Sequence, residues 1–181
     1  MMLRHLAIAS LIYVALVLQP GLPVELSMAG ARPWIPGMAL VLCLMLAEGS
    51  ASLIWVSILG LGVDCLSGER LGVHIVVATA VAAGLQVFQS SSRFVRPAAV
   101  SIAVLTGTFF WKFAVTALHA LLAHRTLDWP SVATAASGDA VYTAVLVLLV
   151  LIVSRAAWAS IFPERLAQFS ILNRWSRLTS D

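Results

Sequence analysis

Charge is what this chain has least of. Asp, Glu, Lys and Arg together make up 10% of its 181 residues, against about 25% in an ordinary soluble domain. Its eight carboxylates are scattered singly. No Gly-x-Ser-x-Gly elbow, His-Glu-x-x-His pair or phosphate-cradling glycine loop occurs, so the sequence offers no catalytic constellation and no cofactor motif. Two cysteines, Cys43 and Cys65, are too few for a disulfide framework and lack metal-ligand spacing. In apolar surroundings they read as small buried thiols. The net charge of +3 comes with no basic tract, because the arginines sit singly beside apolar runs. Nucleic-acid binding is excluded on that ground.

What is present is hydrophobic sequence, 61% of the chain, gathered into long runs. Six stretches stand out: 6–18, 34–46, 51–63, 73–88, 98–123 and 132–158. Gly, Pro, Ser and Asp clusters such as Gln19-Pro20-Gly21-Leu22-Pro23, Ser67-Gly68-Glu69-Arg70 and Asp128-Trp129-Pro130 punctuate them. Continuous runs, rather than alternating ten-residue segments, predict membrane helices and not a barrel. The second and third stretches, at about 20 Å of helix each, fall short of a hydrocarbon core of about 30 Å. Charge placement decides how to count them. With six spans and the N-terminus inside, Arg4, Arg93, Arg96, Arg155, Arg165, Arg174 and Arg177 are cytoplasmic, while Arg32, Arg70 and Arg125 are outside. Fusing the two short stretches reverses that seven-to-three bias, against the positive-inside rule. The expectation is therefore an all-α, six-span membrane protein with both termini cytoplasmic. Arg4 and His5 before the first run resemble a signal peptide, but Gln19, two prolines and Glu25 separate that run from any small-residue cleavage site. Retention as a first membrane helix is expected.

The six-span domain is expected over residues 1–162, followed by a tail over 163–181. There Leu166, Phe169, Leu172, Trp175 and Leu178 fall three apart, with Arg165, Arg174 and Arg177 between them. That spacing predicts an amphipathic helix on the anionic cytoplasmic leaflet; a partner-binding helix or a loosely ordered tail are the alternatives.

Polar residues inside apolar runs are costly and therefore informative. Lys112 in the fifth span and Asp139 in the sixth are expected at similar depth on adjacent antiparallel helices, where pairing relieves the burial of both. A structural ion pair is the favoured reading, a proton or solute relay the competing one. Thr108, Lys112, Thr116 and His119 share one face of the fifth helix, and Asp139, Tyr142 and Thr143 one face of the sixth. His74, His119, His124 and Asp64 lie near outer span ends, but no short ligand spacing supports a metal site there. Ala47 and Ala51, Ala80 and Gly84, and Ala136, Ala140 and Ala144 repeat at four-residue intervals suited to close helix contact, with Gly60 and Asp64 extending the series. Trp34, Trp129 and Trp158 sit near run boundaries, as interfacial anchors do.

The most distinctive stretch is Gly60-Leu-Gly-Val-Asp64-Cys-Leu-Ser-Gly68-Glu-Arg-Leu71-Gly72-Val-His74. A small, Gly-rich last turn carries an acid, a tight Ser-Gly turn follows, and Leu-Gly opens the next helix. Gly68 suits a reversal needing unusual dihedrals, Gly72 suits close packing at a helix start, and Asp64 suits accepting amide hydrogen bonds from the turn. This stretch, with the Arg32-Pro33-Trp34 lead-in to the second span, resembles the rod shape-determining protein MreD family. The likeness in layout covers the whole chain; matching residues lie between Arg32 and His74. The resemblance implies a non-enzymatic scaffold of the bacterial elongasome, supporting lateral peptidoglycan synthesis and rod cell shape. Its implied partners are the periplasmic coiled-coil protein MreC, the RodA glycosyltransferase with its transpeptidase, and, indirectly, MreB filaments. Asp64, Gly68, Leu71 and Gly72 are then the signature turn. The implied fold is that of the substrate-binding subunits of energy-coupling-factor transporters, and this supplies the alternative: a vitamin-like solute-binding subunit with polar stripes lining a pocket.

Overall fold

The computed structural model describes residues 2–22, 27, 30–47, 49–68, 70–91, 97–124, 126 and 128–161. The amphipathic tail expected over 163–181 lies outside them. The described residues form six helices: α1 (Met2–Gly21), α2 (Ile35–Leu46), α3 (Ser50–Ser67), α4 (Val73–Ser91), α5 (Pro97–Leu122) and α6 (Trp129–Ile161). Four stretches are long and apolar enough to cross a membrane: Leu3–Gly21, Ser50–Ser67, Ala98–Leu122 and Trp129–Ser154. Two shorter apolar helices, Ile35–Leu46 and Val73–Val87, accompany them. This is a multi-pass membrane protein, and its exterior agrees. Leu6, Tyr13, Ile54, Val76, Ile102 and Phe110 are all exposed, a surface that lipid accepts and water does not.

Of the two stretches expected to be short, α2 has 12 residues, but the third extends to Ser67 as an 18-residue helix. The reason lies in Asp64. A carboxylate near the end of an apolar run reads as a boundary, yet here it is 1% exposed inside the last turn of α3. The helix continues past it and stops at Gly68, which is left-handed at φ 64°, the conformation that glycine adopts most cheaply.

The chain divides into two compact units, Met1–Leu148 and Leu149–Asp181. In the first, α3 packs along α4, α4 along α5, and α2 reaches α1, α3, α4 and α5. The most central side chains are Trp111, Ile8, Leu40, Leu59, Val56 and Val104, all fully buried. α3 and α4 approach closely because Gly60 has no side chain. A Cβ there would lie 2.8 Å from Ile75 Cα and 2.9 Å from the His74 carbonyl oxygen. One turn before Gly60, the Ser57 and Thr79 hydroxyls join the same two helices at 2.9 Å, a polar contact of the kind that substitutes for hydrophobic drive in lipid. At one end of the unit Gln86 Nε2 donates to Gly49 O (3.1 Å) and to Ser52 Oγ. At the other, the turn end, Arg70 donates to the last-turn carbonyl of Leu122 at 3.3 Å. In the second unit, Leu149, Val150, Ile152 and Val153 are exposed apolar residues of the continuing helix.

Gly60→Ala is expected to destabilise the protein by about 1–3 kcal/mol, because backbone atoms cannot yield to the added methyl. Gly84→Ala, where a Cβ meets nothing within 4 Å, is expected to be neutral or mildly stabilising. Thermal unfolding of both variants in one detergent tests the contrast.

Candidate functional site

The leading N–H groups of any helix lack intrahelical acceptors, and within an apolar layer no water replaces them. At 1.5 Å per residue α2 spans about 18 Å, below the roughly 30 Å hydrocarbon thickness, while α4 over Val73–Ser91 spans about 28 Å. Each receives its cap from another helix.

For α4 the cap is Asp64 of α3. Its Oδ1 accepts the His74 N–H at 3.0 Å, and its Oδ2 accepts those of Gly72 (3.0 Å) and Ile75 (3.3 Å). One carboxylate thus answers three amides and places negative charge against the positive end of the α4 dipole. The turn that makes this possible runs through Gly68 and Gly72, with φ of 64° and 98°. Close packing at Gly72 is not observed, since a Cβ there would meet nothing within 4 Å; its dihedral is what requires glycine. Leu71 stands at the tip, 73% exposed.

For α2 the caps come from two helices. Trp34 occupies the N-cap position without a side-chain cap bond, and Pro36 at the helix start carries no N–H. The Ile35 N–H donates to Gln19 Oε1 of α1 at 2.9 Å. The lead-in lies across α6. The Arg32 N–H donates to Asp139 Oδ1 at 2.7 Å and the Trp34 N–H to Thr143 Oγ1 at 2.8 Å. Pro33, between them, has no N–H to satisfy. The spacing fits because two residues of extended chain cover about 6.6 Å and four residues of helix about 6.0 Å. Thr143 then donates its own proton to the Asp139 carbonyl at 2.7 Å.

The second oxygen of Asp139 forms an ion pair with Lys112 Nζ of α5. Lys112 also stands 4.5 Å from the centroid of the Trp34 ring, a cation–π placement. Beyond Trp34 lies an aromatic cluster joining both helix starts. His74 stacks on Trp34 with centroids 6.5 Å apart, and Trp111 meets both rings at 6.2 Å. Trp111 Nε1–H donates to His74 Nδ1 at 3.1 Å, so that nitrogen acts as an acceptor. His119 approaches His74 with centroids 6.3 Å apart.

Of the residues singled out in the sequence, the structure gathers Trp34, His74, Thr108, Lys112, His119, Asp139 and Thr143 around the start of α2, with Asp64 beside them under α4. Thr108 is fully buried and lies against Gly37 of α2. Thr116 is exposed and its hydroxyl returns to the Lys112 carbonyl. His124 is exposed, at a positive φ of 50°. Cys43 is buried as expected, whereas Cys65 is exposed. Among the described residues no three His, Cys, Asp or Glu side chains are placed to hold a metal. Sequence reasoning misses Gln19 and Trp111. Gln19 reads as a span-ending residue, and a tryptophan mid-span carries no signal of a histidine partner.

A second feature runs along the α4–α5 seam. An open groove of about 690 Å³ is walled by Ala80, Gly84, Ala103 and Gly107, with Ile102 and Phe110 along its rim. At Ala114 it meets a second hollow of about 640 Å³, bounded by Val77, Phe113, Leu118, Leu121 and Trp129. Thr106, a hydroxyl in its wall, is turned back to the carbonyls of Ile102 and Ala103 at 2.9 and 3.2 Å. The seam therefore presents an apolar wall.

No family model matches the chain, and neither a curated protein nor a solved structure matches it.

Two measurements check the caps. Asp64→Asn puts a donor where one or two amides need an acceptor, and each buried N–H left unsatisfied costs about 1–3 kcal/mol; a marked drop in melting temperature is expected. Lys112→Met is expected to cost about 1–3 kcal/mol, below the roughly 3–5 kcal/mol of a fully buried pair, since the two side chains keep 24% and 15% exposure. In a double-mutant cycle with Asp139→Leu the losses should fall short of additivity.

Proposed function

We propose that this chain is a non-enzymatic membrane scaffold of the bacterial cell-wall elongation machinery, a six-span inner-membrane protein with cytoplasmic termini that docks a transmembrane helix of an MreC-like partner. Through that partner it serves the RodA-type glycosyltransferase, its transpeptidase and, indirectly, MreB filaments. The resemblance between Arg32 and His74 supplies the identity of the machinery. The observation that carries the scaffold reading is the α4–α5 seam. From Ala99 to Leu121 it covers about 33 Å of α5 at 1.5 Å per residue, close to the thickness of a hydrocarbon core. Small residues on both walls let a partner backbone come near, which is how helices associate in lipid. A vitamin-like solute needs an enclosed pocket with a few convergent polar groups, whereas this seam is open and apolar.

Photo-crosslinking tests the proposal. A benzophenone side chain at Ile102 or Phe110, 63% and 57% exposed on the seam, is expected to capture the MreC-like partner in cells. The same probe at Tyr13, 69% exposed on α1, is expected to capture none. Capture from Tyr13 alone, or co-purification of a small solute with an ATPase module, would overturn the reading.

A further inference from the structure

We propose that the hydrogen bond from Trp111 to His74 sets the register of α5 on α4, and with it the shape of the seam between them. The service of this tie to a partner rests on the docking reading of the seam.

The walls of the seam are poorly suited to fixing a register by themselves. Ala80 and Gly84 on α4 and Ala103 and Gly107 on α5 line it. Small side chains let helices approach, but they interlock little, and it is interlocking shape that selects one packing among several. Leu85 of α4 supplies one such contact, since a Cβ on Gly107 would lie 3.1 Å from Leu85 Cδ1. The end of a leucine side chain has other staggered positions to turn to. That contact keeps the helices together without fixing where along each other they lie.

A directional contact stands behind the seam. Trp111 heads the largest fully buried side chains, and a buried indole N–H needs an acceptor. His74 Nδ1 of α4 provides it at 3.1 Å. His74 is itself held from the far side, because its backbone N–H donates to Asp64 Oδ1 at 3.0 Å. The α3 carboxylate thus fixes the main chain of the residue whose ring engages α5. Trp34, at the start of α2, closes the triangle, 6.5 Å from the His74 ring and 6.2 Å from that of Trp111. On α5, Trp111 adjoins Phe110 and lies about one turn from Gly107 and Ala114, and all three of these line the seam. Sliding α5 by one turn, about 5.4 Å, is the step by which packed helices re-register. It would carry the indole out of reach of His74 and leave its N–H buried without an acceptor, which a low-dielectric interior penalises. Smooth walls admit several registers; the bond admits one.

The test uses the full chain in lipid nanodiscs with Cys43 and Cys65 replaced. Spin labels go at Val76 on α4 and Leu121 on α5, both exposed. One narrow distance distribution is expected for the parent. Trp111→Phe, which removes the donor, and His74→Leu, which removes the acceptor, should broaden or split it and cut partner capture from Ile102 several-fold. His74→Asn, which keeps an oxygen acceptor near the place of Nδ1, should restore both readouts toward the parent. Gly60→Ala lowers stability at the α3–α4 contact without touching the tie, and should leave both unchanged. An unaltered distribution in His74→Leu overturns the proposal even if Trp111→Phe fails to fold. Equal broadening in Gly60→Ala overturns it too, since the effect would then be lost stability and not lost register. If the distribution responds as expected while capture from Ile102 stays at the parental level in every variant, the tie does not serve docking. If the parent captures no partner from any seam position, the docking reading fails, and the distances still decide whether the tie sets the register.

Discussion

A backbone amide cannot be left without an acceptor in hydrocarbon, and the fold is arranged around that requirement. The first turns of α2 and α4, like those of any helix, carry N–H groups with no acceptor of their own. Each start is met by side chains from elsewhere: Asp64 for α4, and Gln19, Asp139 and Thr143 for α2. The intramembrane carboxylates, which look like liabilities when the sequence is read by hydropathy alone, are the acceptors that let these helices begin where they do. Their negative charge also complements the positive helix ends.

This arrangement accounts for how the polar groups of the cluster are committed. Asp64 has its oxygens committed to three amides. Asp139 divides its own between a lysine and an amide. His74 holds Trp111 through one nitrogen. The cluster is well suited to fixing the mutual placement of α1, α2, α4, α5 and α6 at the turn end, and so to shaping the seam between α4 and α5. Rigidity at the turn end and openness along the seam belong together, because a docking surface in lipid depends on backbone positions held from behind.

How much of this can be read from the sequence differs residue by residue. The helical class and the long runs follow from hydropathy, because apolar side chains are what a bilayer selects for most strongly. The acceptor role of Asp64 follows from its place before Ser-Gly. Lys112 and Asp139 can be set at one depth by counting residues from the turn between their helices. The partners of Asp139 in the lead-in cannot be found that way, because Arg32 and Trp34 offer only backbone N–H groups, which every residue but proline carries. The length of α3 is misjudged for a related reason: an acid inside a helix and an acid ending one look alike until its acceptor bonds are seen. Gly60 falls in the small-residue series suited to close helix contact, and it is there, not at Gly72, that two backbones nearly touch.

The two caps also differ in when they exist. Asp64 precedes the amides it serves by 8 to 11 residues, so α4 leaves the ribosome with its acceptor already made. Arg32 and Trp34 wait for residues 107 and 109 positions further on. At about 5–20 residues per second, that is an interval of roughly 5–20 s in which the lead-in to α2 lacks these two acceptors, although Gln19 is already present for Ile35. The nascent chain must be sheltered through that interval by the insertion machinery or held at the interface. The sixth helix then completes the second one.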